Sequence, residues 1–217
     1  MKKKDLEKLT HNLPLTPNIL GRERYFNSSV LIPLVKLQKE YYILLQKRAK
    51  NIRQGGDICF PGGRVEESDK SFEHTALRET KEELGIKKKD INIIGRLDTL
   101  VTSYGVVVEP FVGVLKKKAI KNMVLDANEV EKTILVPLSF FKNTKAEVYT
   151  LRAEVKPYSL DEHGNKKIHF PAEELNLPLH YQKPWAEKEY QVWVYKYEDE
   201  VIWGLTALII NDLLKKY

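Results

Sequence analysis

The stretch Ile58–Ile86, ICFPGGRVEESDKSFEHTALRETKEELGI, runs from a Pro-Gly-Gly turn into a segment that sets Glu79, Glu82 and Glu83 within about one helical turn. Ser68 or Asp69 is placed to cap a helix here, and Gly85 to supply the left-handed residue after its last turn. On such a helix residues three and four apart share a side, so the three carboxylates form a solvent-side cluster while Leu77, Thr80 and Leu84 face another. Like charges at this spacing repel by roughly a few tenths of a kcal/mol per pair on an exposed helix. A positive partner is therefore expected. One reading is a solvated face neutralised by Arg78 and Lys81. The other draws on Gly62 and Gly63 just upstream, because glycine lets backbone groups approach a ligand closely. Carboxylates beside such a loop suit Mg²⁺ bridged to phosphate, an ion that takes hard oxygen ligands, keeps waters and touches one or two protein carboxylates.

Around this segment the chain reads as one mixed α/β domain. Its 217 residues fit a single α/β unit with insertions. With 42% hydrophobic and 30% charged residues it has the composition of a folded protein rather than a disordered one. A polar N-terminal extension, residues 1–26, with a short helix around Lys4 to Leu9, leads through Pro14 and Pro17 to the first strand. The runs SSVLIPLVKL and EYYILLQKR read as a hairpin or adjacent strands, the second ending in Lys47, Arg48, Lys50 and Arg53. After the acidic helix, INIIGRL, VVVEPFVGVL and TILVPL read as buried strands. Residues 142–169 are polar around an Asp-Glu-His-Gly-Asn turn and read as an inserted surface hairpin or flap facing the substrate. YQVWVYKY reads as a further strand, and the chain closes on a helix with Leu205, Leu208, Ile209 and Leu213 on its buried side.

Composition narrows the function. The single cysteine, Cys59, excludes an internal disulfide and fits a reducing cytoplasm, with a packing role for the thiol. The N-terminal MKKKDLEKLT lacks the apolar run of an export signal, and VIWGLTALII is about half the roughly 20 residues that span a bilayer. A net charge of +6 favours anionic ligands. His11, His74, His163, His169 and His180 are scattered, with no zinc spacing.

The segment resembles the signature of the Nudix hydrolases: a glycine, a spaced acidic residue, then Arg-Glu-x-x-Glu-Glu-x-Gly and an apolar residue. Here these are Gly63, Asp69, Arg78, Glu79, Glu82, Glu83, Gly85 and Ile86. The interval from Gly63 to Arg78 is one residue longer than the generic pattern, and Asp69 stands where a glutamate is usual. Upstream, LLQKRAKNIRQGGDICFPGG is similar to the element of the coenzyme A diphosphatase branch. It matches at Leu44, Leu45, Arg48, Ala49, Arg53, Gly56, Phe60, Pro61, Gly62 and Gly63. Arg53 is one residue closer to Gly56 than in that pattern and Gln46 replaces a common threonine, while the lengthened box is typical of the branch.

The resemblance implies an α/β/α sandwich with a mixed β-sheet and metal-dependent hydrolysis of the diphosphate of coenzyme A or its derivatives. The products would be 3′,5′-ADP and 4′-phosphopantetheine or its acyl form. It implies Mg²⁺ or Mn²⁺ held by Glu79 and Glu83, with Glu82 as third ligand or general base and the Gly63 carbonyl as a further ligand. Arg78 would orient a glutamate through a charge-assisted hydrogen bond. Arg48 and Arg53 would grip phosphates beside Gly62, against the plainer reading of ordinary surface cations. Glu109 has two readings, an additional ligand from a neighbouring strand or a strand-end carboxylate facing water, and the second is preferred. Two rivals stand: a Nudix hydrolase of another nucleoside diphosphate derivative (a dinucleotide, an NDP-sugar or a nucleoside triphosphate), and a non-catalytic Nudix domain binding nucleotide or RNA. VWVYKYEDE only weakly echoes the interleaved basic and aromatic residues of RNA-binding sheets. The expected partners are a small-molecule diphosphate and, as an assembly, a homodimer, with neither nucleic acid nor membrane.

Overall fold

A computed structural model describes residues 2–16 and 18–217; Met1 and Pro17, the latter expected in the lead-in to the first strand, lie outside the described residues. The chain forms α1 (Lys3–Asn12), β1 (Phe26–Leu37), β2 (Glu40–Arg48), β3 (Ile58–Cys59), β4 (Gly62–Arg64) and α2 (Phe72–Leu84). Then follow β5 (Ile91–Arg96), β6 (Leu100–Val101), β7 (Val106–Leu115), α3 (Lys117–Lys121), β8 (Val130–Pro137) and α4 (Leu138–Asn143). The last elements are β9 (Glu147–Val155), β10 (Tyr158–Leu160), β11 (Lys166–Ile168), β12 (Trp185–Tyr197), β13 (Glu200–Trp203) and α5 (Gly204–Lys215).

Eight strands make a mixed sheet in the order β3-β2-β1-β7-β5, with β4 on β1, β6 on β7 and β8 on β2. β1 and β7 run parallel from Phe26↔Val106 to Val35↔Leu115, and the other pairs are antiparallel. The β1 and β2 runs form the expected hairpin, closing at Leu37↔Glu40. Helices cover both faces, which is why β1, β2 and β7 are near-continuous apolar runs rather than alternating ones. In β1 and β2, Ile32, Ile43 and Leu45 join the core cluster that α5 completes with Ala207, Ile209 and Ile210. Their neighbours Val35 and Leu44 face the other way, against Leu84 of α2 and Ala119 of α3. Leu31 packs with Ala76 of α2. The result is an α/β/α sandwich around a mixed sheet.

Three sequence-based expectations shift. INIIGRL is a sheet edge rather than a buried strand: β5 pairs only β7, and Ile94 is 58% exposed. The final helix begins at Gly204, because Val201–Trp203 belongs to β13. Its buried residues are Thr206, Ala207, Ile209 and Ile210, a stripe rotated from the expected one, while Leu205 and Leu213 sit at the margin of the cluster. In residues 142–169, β9 pairs with the long strand β12, and β10 and β11 form a hairpin about the Asp161–Asn165 turn. Every β9 residue is exposed. No residue of α1 is buried. Among the described residues, no helix is long and apolar enough to cross a membrane.

Candidate active site

The Pro-Gly-Gly turn is built into the sheet. Phe60 and Pro61 are buried, and Gly62 and Gly63 pair with Val30 and Ser29 of β1. Gly62 has φ 151°, and a Cβ there would stand 2.4 Å from the Ser29 carbonyl oxygen and 2.6 Å from the Val30 Cα. At Gly63 a Cβ would meet the Glu79 carboxyl carbon at 2.5 Å. The turn thus lets the backbone pass beneath that carboxylate.

α2 carries the acidic side chains and starts later than expected. Ser71, not Ser68 or Asp69, is its N-cap, its Oγ accepting from the His74 amide at 3.1 Å. Asp69 is instead fully buried at the side chain and receives Arg78 through Nε and Nη2, both at 3.0 Å. Its carboxylate also accepts from Thr75 Oγ1 and from the Glu66 amide, and His74 Nδ1 lies 2.9 Å away. The Arg78 hydrogen bonds hold the Asp69 carboxyl far below the usual carboxylate range. Gly85 closes the helix at φ 67°, as expected.

The three glutamates do not share one solvent-side cluster. Glu83 is 2% exposed. Its two oxygens accept from Gln46 Nε2 and from the Gly62 amide, each at 2.8 Å. Burial raises its pKa to about 7 despite those donors, with the charges of Glu79 and Glu129 adding to the rise. Glu79 is also pushed up, by burial first, while Arg78 at 2.9 Å acts in the other direction. Glu82 turns outward, 54% exposed at the side chain, and pairs with Arg78 Nη1 at 2.8 Å. The divergence follows from helix phase: Glu83 falls on the buried side with Thr80 and Leu84, and Glu82 one step round toward solvent.

A cleft of about 710 Å³ is lined by Glu79, Glu83, Gly62, Gly63, Arg48 and Arg53, among others. Arg78 and Glu82 do not line it, nor does any residue of 142–169. Arg53 is exposed and Arg48 half-buried, its Nε donating to the Arg53 carbonyl at 3.1 Å. Glu109 does not face water. It is 2% exposed, pairs with Arg22 and accepts from Thr99 Oγ1 at 2.9 Å, since β7 lies in the middle of the sheet. Cys59 lines the cleft, and burial pushes its thiol up to about 11. Gln46, Glu129, Trp203 and Tyr104 line or support the cleft but were not assigned to the site from the sequence. Gln46 carried a signal, as a fully buried position following the apolar run of β2; Tyr104 and Trp203 lie in runs that resemble the coenzyme A diphosphatase branch, but nothing local says that they reach this cleft, and Glu129 comes from a turn with no such pattern.

The donor set suits a hard divalent cation. All side chains in position are carboxylates, two of them desolvated, and Gly63 leaves room for that of Glu79. Among the described residues no three His, Cys, Asp or Glu side chains converge as a metal cage. That fits an ion held by one or two carboxylates that completes its shell with water and substrate phosphate.

The sequence profile of the NUDIX domain matches residues 26–185. The chain is 30% identical over 210 residues to the uncharacterized Nudix hydrolase NudL of Yersinia pestis (strain Pestoides F), covering 94% of this chain and 88% of that protein. NudL of Yersinia pseudotuberculosis (serotype O:1b, strain IP 31758) matches to the same extent. Among solved structures, an Ap4A hydrolase binary complex from C. elegans is 22% identical with a TM-score of 0.44, over 52% of this chain and 80% of that one. The NUDIX domain of Shewanella oneidensis NrtR with ADP ribose is 19% identical with a TM-score of 0.44, over 67% of this chain and 89% of that one. With the profile spanning most of its length and both NudL proteins aligned nearly end to end, the chain belongs to the Nudix hydrolase family.

Proposed function

We propose that this Nudix hydrolase cleaves the diphosphate bond of coenzyme A or its derivatives, releasing 3′,5′-ADP and 4′-phosphopantetheine or its acyl form. The observation that supports this reading is the shared cleft, which Arg48 and Arg53 line together with Glu79 and Glu83. A substrate with a diphosphate and a separate ribose phosphate presents two anionic centres, and the cleft offers carboxylates suited to a cation for one and guanidinium groups for the other.

Nudix hydrolases generally use divalent metal ions. Mg²⁺ or Mn²⁺ would be held here by Glu79 and Glu83 with the Gly63 carbonyl. When bound, it supplies positive charge against the diphosphate oxygens and lowers the pKa of a water for in-line attack on phosphorus. Gln46 and the Gly62 amide hold Glu83 in place, and Arg78, anchored on Asp69, holds Glu79 and Glu82. Glu82, exposed and paired with Arg78 outside the cleft lining, would have to leave that pair to serve as the third ligand or the general base. Arg48 and Arg53 bind phosphate oxygens. We take residues 1–26 as an extension of the catalytic domain and residues 142–169 as an insertion in it, and the lone Cys59 as compatible with a reducing cytoplasm.

The test is Mg²⁺- or Mn²⁺-dependent cleavage of coenzyme A, with ADP-ribose, NADH and dinucleoside polyphosphates in parallel, for wild type and Glu83→Gln, with products identified by mass. Release of 3′,5′-ADP at the highest kcat/KM, abolished in the variant, is the expected result. A better rate on another diphosphate would discard coenzyme A as substrate and keep the chemistry. No cleavage of any compound would favour a nucleotide-binding domain.

A further inference from the structure

Trp203 presents its indole to the cleft, 46% exposed, although the preceding Ile202 is fully buried. Packing does not account for so large an apolar face left in contact with water. The side chain is held in place: its residue ends β13 opposite Val194, adopts extended backbone (φ −144°, ψ 179°) and immediately precedes α5. Its Nε1 donates to Asp57 Oδ1 at 3.4 Å. Asp57 in turn accepts the Arg48 amide on its carbonyl at 2.9 Å, and Arg48 Nε reaches the Arg53 carbonyl. The indole of Trp203 is therefore tied through Asp57 to Arg48, and the Arg48 guanidinium to the backbone of Arg53, with all four residues lining the cleft. The cleft is also lined by Tyr104, Phe26, Val106 and Val108, and the Arg64 guanidinium lies 5.8 Å over the Phe26 ring.

We propose that Trp203 is the base-stacking platform of this enzyme, so that the nucleoside of the substrate lies between Trp203 and Arg48–Arg53 and the remainder extends past Gly62–Gly63 toward Tyr104. Indole stacks on any nucleobase, and the adjacent guanidinium groups favour a nucleoside with a phosphate on its ribose. The inference rests on the coenzyme A reading for the identity of the base, adenine, and of that phosphate. The apolar lining of Phe26, Val106 and Val108 then receives the pantetheine chain, which carries no charge beyond the diphosphate.

Binding without turnover tests it. Wild type and Trp203→Phe are titrated, in the absence of divalent metal, with 3′,5′-ADP, ADP and 4′-phosphopantetheine while tryptophan fluorescence is followed. Adenine nucleotides are expected to quench wild type and not Trp203→Phe, and 4′-phosphopantetheine to quench neither. In steady-state assays Trp203→Ala is expected to raise the inhibition constant of 3′,5′-ADP roughly 10- to 100-fold and to leave that of 4′-phosphopantetheine unchanged. Trp203→Phe, which keeps an aromatic face, recovers most of that affinity and serves if the alanine variant does not fold. Equal quenching by 3′,5′-ADP in wild type and Trp203→Phe, in an enzyme that does cleave coenzyme A, would overturn the proposal and leave the function standing. Quenching at Trp203 by ADP as strong as by 3′,5′-ADP, with coenzyme A not cleaved, would remove the substrate reading and leave the stacking subsite.

Discussion

Gly62 and Gly63 adjoin in the chain, yet side chains are excluded from them by different neighbours. At Gly62 the obstacle is the backbone of β1, which cannot move aside, and the φ of 151° is one that other residues rarely adopt. Gly62→Ala is expected to destabilise the fold by about 2 kcal/mol or more, measured by denaturant unfolding. At Gly63 the obstacle is the Glu79 carboxylate, the far end of a side chain that can turn away. Gly63→Ala should therefore lower activity at least about tenfold while shifting stability little, because it displaces the carboxylate proposed to hold the metal rather than a group on which the fold rests. Gln46 acts through Glu83. Its Nε2 is one of two donors on that carboxylate, and its own Oε1 has no partner among the described residues. Gln46→Ala is expected to reduce kcat/KM roughly 10- to 100-fold and to weaken Mn²⁺ binding measured by calorimetry, a readout that loss of packing alone would not move.

In α2, spacing placed the three glutamates on a helix, but not which of them faces the sheet, because an arc of three adjacent positions straddles the boundary between core and solvent. The same ambiguity hid Asp69, whose position suits a cap but whose carboxylate folds back to grip Arg78. Two substitutions separate cap from anchor. Ser71→Ala, which removes only the capping oxygen, should cost about 1 kcal/mol. Asp69→Asn, which breaks a buried ion pair, should cost about 2 to 3 kcal/mol at pH 7. The second effect depends on pH with a definite sign. The folded pKa of Asp69 is depressed, so its contribution is fully present above the unfolded value of about 4 and is lost as pH falls below it. Thermal unfolding of both proteins from pH 7 to pH 2 should show a constant gap above about pH 5 that narrows on further acidification. A gap independent of pH would mean that Asp69 contributes by shape rather than charge.

Across the molecule, the cleft draws on β1, the end of β2, the turn after it, β3 and β4, α2, β7 and the turn before it, Glu129 and the β13–α5 junction. The N-terminal helix takes no part: none of its residues is buried and none lines the cleft. Removal of residues 1–16 is expected to move the thermal midpoint by less than about 2 °C and to leave kcat/KM unchanged. The fold class, the β1–β2 hairpin, the acidic helix with its closing glycine, and the arginines before the glycine turn were legible in the sequence. The paired strands and the punctuated helix rest on periodicity and turn chemistry within a few residues, where backbone geometry leaves few choices, whereas the α/β/α sandwich and the place of the arginines beside the glycine turn were expected only from the resemblance to the Nudix hydrolases. The tertiary structure alone decided that Glu83 is buried against Gln46 while Glu82 meets water, that Glu109 is sealed against Arg22, and that Trp203 stands beside Asp57, 146 positions away. Burial and cross-chain contact depend on how strands pair and which helix face meets the sheet, and those are set by the packing of the whole core rather than by any one segment.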